Sequence, residues 1–151
     1  RVYSISRVFP EKPTGNFPKG EAKRTARTPI LSTALFPEAS SGFLAMKRDE
    51  KTHQSILYYD RVPDCTNKTV ILVDPMVATG GSLCDAISVI ENKSPKKIIS
   101  LNIIGSPEGM AVLEQKHPNI DTYIAKIDEK LNENMFIIPG LGDAGDRSYN
   151  I

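Results

Sequence analysis

Cysteine is scarce in this chain. Cys65 and Cys84 are its only two, in unrelated surroundings and without a Cys-x-x-Cys spacing. That pattern suggests neither a disulfide framework nor a zinc site, and it leads to the expectation of a reducing, cytoplasmic setting. Net charge is nearly absent as well: 19 Lys and Arg against 18 Asp and Glu leave +1, which gives no electrostatic reason to expect nucleic acid as a partner. Long apolar runs are missing. No window approaches the roughly 20 apolar residues that span a bilayer, and the opening RVYSISRVFPEKPTG lacks the apolar centre of a secretory signal. Neither membrane insertion nor secretion is therefore expected. The chain starts at Arg1 rather than methionine, which leads one to expect residues upstream. What is present is ordinary in bulk: 40% apolar and 25% charged over 151 residues, enough for one packed core and short for two.

Residues 1–28 stand apart. Pro10, Pro13, Pro18, Gly15 and Gly20 punctuate them, and Lys23, Arg24 and Arg27 form a basic cluster. They read as irregular or extended chain with a solvated basic face. From residue 29 the pattern becomes regular. TPIL, SGFLAM and ILYYDRVP read as strands, the last two joined by the charged stretch KRDEKTHQS as an exposed hairpin arm. TVILVD is a continuous β-branched strand, and LCDAISVIENK after it repeats apolar residues at helical spacing. The alternation continues with KIISLNIIG as strand, PEGMAVLEQK as helix, and DTYIAKI and MFIIPG as strands. Strands apolar throughout need cover on both faces, so the expected fold is α/β, a mostly parallel sheet flanked by helices, with a β-hairpin arm.

The stretch with most chemistry is VILVDPMVATGGSL, residues 70–83. A strand that stops at ATGGS and turns into a helix leaves several amides at the helix start outside the helical ladder. Glycine lets that backbone approach a ligand closely, and Thr79 and Ser82 add hydroxyls, so the loop has the character of a phosphate cradle. An ordinary strand-to-helix turn capped by Ser82 accounts for the same residues equally well. Two familiar phosphate motifs are excluded. No lysine follows Gly80 or Gly81 as a nucleotide triphosphatase loop requires, and GLGDAG, residues 140–145, matches the dinucleotide pattern with only six residues left for its helix. Asp74 precedes the loop at the carboxyl end of a strand, where ligands of open α/β sheets collect. A carboxylate there repels phosphate but accepts hydrogen bonds from sugar hydroxyls or contacts a divalent cation. A sugar phosphate fits both halves of the motif.

VDPMVATGGSL closely resembles the phosphoribosyl pyrophosphate (PRPP) motif of the uracil phosphoribosyltransferases, within the type I phosphoribosyltransferase family. The resemblance runs from about Leu35 to Asn150 through FPEAS, KRDE, YYDRVPD, SPEG, KHP, AKIDEKLNE and PGLGDAGDR. It implies a phosphoribosyltransferase domain over residues 29–151 that converts uracil and PRPP to UMP and pyrophosphate with magnesium. It also implies roles for particular residues. PRPP would be held by Arg48, Asp74, Pro75, Met76, Val77, Ala78, Thr79, Gly80, Gly81, Ser82 and Asp143, of which Asp74, Arg48 and Asp143 would act most directly in catalysis. Uracil would be held by Ile137, Gly142, Asp143 and Ala144, largely through backbone groups. No direct protein ligand for the metal is assigned. Partners implied are the two substrates, a second copy of the chain in a homodimer or larger homo-oligomer, and GTP as an activator.

The chain departs from the family at one place. Members carry an ILRAG loop whose arginine and backbone bind pyrophosphate; here the sequence reads ILSTALFPEAS, with Ser32 in the arginine's position and the following residues shortened by about a helix. Either a longer protein lies behind these residues and is an active enzyme, or the shortening is genuine and turnover is weak. The first reading is favoured, since deleting a helix would bare apolar core surface. The second suggests an alternative function, a regulator that binds PRPP or UMP without catalysis.

Overall fold

A computed structural model describes residues 2–9, 39–48 and 55–142. Eight strands and two helices appear among them. In chain order these are β1 (Val2–Phe9), β2 (Ser40–Arg48), β3 (Ser55–Arg61), β4 (Thr69–Val77), α1 (Gly81–Glu91), β5 (Lys97–Gly105), α2 (Pro107–Lys116), β6 (Asp121–Ile127), β7 (Lys130–Leu131) and β8 (Ile137–Ile138). The first six strands form one sheet in the order β3-β2-β1-β4-β5-β6, and β7 pairs only with β8.

The parallel α/β part is the run β4-β5-β6, with α1 and α2 as its crossovers. The other half is antiparallel: β1 pairs with both β2 and β4, and β2 with β3. The sheet is thus mixed, with the parallel strands carrying the candidate site. The β2–β3 pairing bears out the hairpin. In residues 1–28, read as irregular or extended, Val2–Phe9 supplies a strand between β2 and β4. The prolines and glycines that suggested irregular chain all come after it. TPIL, the basic cluster and Ser32 lie outside the described residues.

Burial follows the two-residue period of β4. Val70 and Leu72 are fully buried, and they meet Leu83, Cys84, Ala86, Ile87 and Ile90 of α1, Ile98 of β5 and Leu113 of α2 in one cluster. Each fully enclosed Leu or Ile contributes about 1.5–3 kcal/mol, so this helix-to-sheet seam holds α1, and hence its first turn, in place. Only this side is enclosed among the described residues. On the other, Leu101, Ile103, Tyr123 and Ile127 are exposed, where cover on both faces was expected.

MFIIPG forms no full strand and does not join the main sheet. The Asn132 Oδ1 accepts from the amides of Asn134 at 3.0 Å and Phe136 at 2.9 Å, and Met135 has a φ of 62°. That turn consumes the beginning of the segment, leaving Ile137–Ile138 to pair with Lys130–Leu131. Ahead of β4, Asp64 orders another turn. Its carboxylate accepts from the Thr66 hydroxyl at 2.8 Å and the Thr66 amide at 3.1 Å, and it meets Lys68 Nζ at 3.1 Å. The Thr66 hydroxyl and amide, then Lys68, lower its pKa to about 2.

Candidate active site

β4 pairs with β1 only as far as Val73, while its ladder with β5 continues through Asp74↔Asn102 and Met76↔Ile104 to Val77↔Gly105. Pro75, which has no N–H to give a ladder, falls beyond the last β1 pair and is exposed. Asp74 is buried, 4% exposed, and its Oδ1 accepts from the Met76 amide at 3.3 Å. The carboxylate therefore sits three residues before the end of β4, at the carboxyl end of the parallel strands.

After β4 the chain passes Ala78, buried, and Thr79, half-buried, to Gly80, whose φ of 73° is left-handed. Gly80 is the residue ahead of α1, and no side chain caps the helix. Ser82 lies inside the first turn instead, so the reading of this loop as a turn capped by Ser82 is overturned. The first helical bond runs from the Cys84 amide to the Gly80 carbonyl at 3.0 Å. The amides of Gly81, Ser82 and Leu83 consequently lie ahead of the helical ladder, at the positive end of the helix.

A second helix start buttresses this loop. Ser106 precedes α2, with Pro107 at the first helical position and Glu108 in the first turn, a sequence well suited to helix initiation. The Ser106 hydroxyl accepts from the Gly109 amide at 2.9 Å and donates to the Ala78 carbonyl at 2.6 Å, while the Ser106 amide donates to the Val77 carbonyl at 3.0 Å. Gly109 lies directly against the loop. A Cβ on it would run into the Ala78 carbonyl oxygen, and one on Gly80 would come within 2.5 Å of the Gly109 oxygen. The contact exists because both residues are glycine.

Beside the loop stands the segment assigned to the base. Ile137 of β8 is buried in a cluster with Met76, Ala78 and Ile104, with Leu131 and Leu141 packed around it. Asp128, 5% exposed, holds the turn after β8: its Oδ2 accepts from the Gly140 amide at 2.9 Å, and its own amide donates to the Gly105 carbonyl at 2.9 Å. Lys126 Nζ lies 3.1 Å from Asp128 Oδ1 without hydrogen-bond geometry, so this is a charge contact only. The Glu108 carboxylate accepts from the Leu131 amide at 3.1 Å. That bond, followed by one from the Glu108 amide, lowers its pKa.

The structure thus brings residues 74–82 and Ile137 together, with Gly142 exposed farther along the segment. Arg48 closes the β2–β3 ladder opposite Ser55, and its side chain lies outside what is described, as do Asp143 and Ala144. Ser106, Glu108, Gly109 and Asp128 were read from the sequence only as parts of the SPEG and AKIDEKLNE matches. The Ser-Pro-Glu start signal was visible, but its target, a loop 28 residues earlier, was not. Among the described residues no three His, Cys, Asp or Glu side chains gather as a metal cage.

The chain is similar to known proteins along most of its length. The sequence model for uracil phosphoribosyltransferase matches residues 30–151. A uracil phosphoribosyltransferase of Clostridium botulinum (strain Eklund 17B / Type B) is 44% identical over 137 residues, covering 84% of this chain and 66% of the relative. One from Malacoplasma penetrans (strain HF-2) is 47% identical over 116 residues, covering 76% of this chain and 56% of its own. The chain thus spans just under two thirds of the clostridial relative. Among solved structures, the AQ2163 protein from Aquifex aeolicus superposes with a TM-score of 0.75 at 42% identity, covering 80% of this chain and 58% of that one. With matching motifs, fold and sequence, the chain belongs to the uracil phosphoribosyltransferase family.

Proposed function

We propose that the protein transfers the 5-phosphoribosyl group of PRPP to uracil, giving UMP and pyrophosphate in pyrimidine salvage. The observation that carries this reading is the shared cluster of Met76, Ala78 and Ile137: the anion-binding turn and the base segment are neighbours, as transfer between a sugar phosphate and a base demands. In this reading the Gly81, Ser82 and Leu83 amides and the Thr79 and Ser82 hydroxyls hold the 5-phosphate. Asp74 accepts hydrogen bonds from the ribose hydroxyls. Uracil presents acceptor, donor and acceptor along one edge, and main-chain groups of Ile137, Gly142 and Ala144 mirror that order, with Asp143 beside them. Cytosine, with an amino donor in place of O4, would leave donors facing one another and is rejected.

The bond from ribose C1 to pyrophosphate breaks ahead of attack by the uracil nitrogen, so carbon C1 becomes electron-poor and the leaving oxygens gain charge. Positioning supplies most of the catalysis. In this reading Arg48 is the residue that meets the pyrophosphate, where a guanidinium would stabilise the developing charge. Magnesium, when bound, neutralises phosphate charge. Asp74, buried near the end of β4, fits an ion held chiefly by substrate oxygens and water, with Asp143 a second candidate ligand. A cytoplasmic homo-oligomer with GTP as activator completes the proposal.

Incubation of the folded protein with uracil, PRPP and magnesium is expected to yield UMP, and cytosine is expected to yield no nucleotide. The absence of arginine at Ser32 favours one rival, a non-catalytic sensor. Saturable PRPP or UMP binding without any product would select it and reject transfer.

A further inference from the structure

We propose that Glu108 is a positioning residue that sets the base-binding hairpin at a fixed distance from the phosphate cradle. The inference rests on the function proposed above and names the part that couples its two halves. The first turn of α2 faces both ways. Towards the cradle, Ser106 holds the Val77 and Ala78 carbonyls, and Gly109 lies against Ala78 and Gly80. In the other direction Glu108 takes the Leu131 amide at 3.1 Å, and Leu131 is paired with Ile137 across β7 and β8. Glu108 thus stands between two residues fixed to the cradle. Pro107 stiffens the backbone between Ser106 and Glu108 by fixing its own φ.

An acid in the first turn of a helix is commonplace, since it favours the helix dipole. The dipole does not require that acid to hold an amide 23 residues away in the hairpin carrying Ile137. Asp128 performs the matching task at the other end of the hairpin, through Gly140. Between them the two carboxylates fix Leu131 and Gly140, on either side of Ile137. In-line displacement makes that spacing matter, because the base must be held in reach of ribose C1.

The test compares Glu108→Ala and Glu108→Gln in the complete chain. Glu108→Ala is expected to raise KM for uracil about fivefold, the scale of one hydrogen bond, while KM for PRPP stays within about twofold. Glu108→Gln keeps an acceptor for Leu131 and is expected to restore most of the uracil KM. Equal rises in both KM values, no change in either, or a glutamine variant as impaired as alanine would overturn the proposal. Amide hydrogen exchange gives a readout independent of turnover: Leu131 is expected to lose protection in Glu108→Ala and retain it in Glu108→Gln. If the parent protein makes no UMP, the proposed function fails by itself. Unchanged protection of Leu131 in the alanine variant would then reject the role of Glu108 separately.

Discussion

Alanine at Gly109 is expected to destabilise the protein by about 1–3 kcal/mol, the usual penalty of overpacking, and to weaken the use of PRPP more than tenfold. The added methyl group would meet the Ala78 carbonyl oxygen, with the Ala78 carbonyl carbon and the Val77 oxygen both at 3.0 Å. All three are backbone atoms at the end of β4, so no side chain can swing away. Either α2 retreats and the 2.6 Å bond from Ser106 to Ala78 is lost, or the loop itself moves. Both routes displace the amides ahead of α1. Gly81 gives the contrast: a Cβ there finds nothing nearer than Thr79 Oγ1 at 3.9 Å, so Gly81→Ala is expected to fold as stably as the parent. Denaturant unfolding and KM for PRPP check the pair. A Gly109→Ala protein with parental stability and PRPP kinetics would show that the close approach has no bearing on the cradle.

Asp74→Asn is expected to lower kcat about a hundredfold or more, the scale seen when one preorganised electrostatic group is removed, while the unfolding midpoint moves little. Asparagine has the same shape and retains an oxygen to accept from the Met76 amide, so the local bond seen at 3.3 Å survives. What the change removes, on the proposed function, is the carboxylate acceptor for the ribose hydroxyls. The discriminating measurement is kcat set against the thermal midpoint. A loss of activity no larger than the loss of folded protein would remove Asp74 from catalysis.

The parallel half of the fold was legible because its signals are local. TVILVD and KIISLNIIG are continuous apolar strands, and Leu83, Ala86, Ile87 and Ile90 mark a helical face that the core indeed buries. The strand-to-helix turn from Asp74 to Ser82 was legible for the same reason, being contiguous. Contacts between distant segments were not. Nothing in SPEG says that its serine reaches the Ala78 carbonyl, and nothing in AKIDEKLNE says that Asp128 holds the Gly140 amide. The strand Val2–Phe9 was obscured by the prolines that follow it. MFIIPG was misjudged because apolar composition favoured a strand where Asn132 builds a turn.

Both cysteines are enclosed, Cys65 at 0% and Cys84 at 1% exposure, and burial is the main cause raising each thiol above its ordinary value of 9.0. Below that pH folded and unfolded chains alike keep these protons. Above it the unfolded chain releases them first, so alkali draws the population towards unfolding. Thiolates are the reactive form, and the folded molecule shields both sulfurs from reagents. An alkylating dye therefore counts opened molecules, giving every substitution described above an internal gauge of whether lost activity reflects chemistry or collapse.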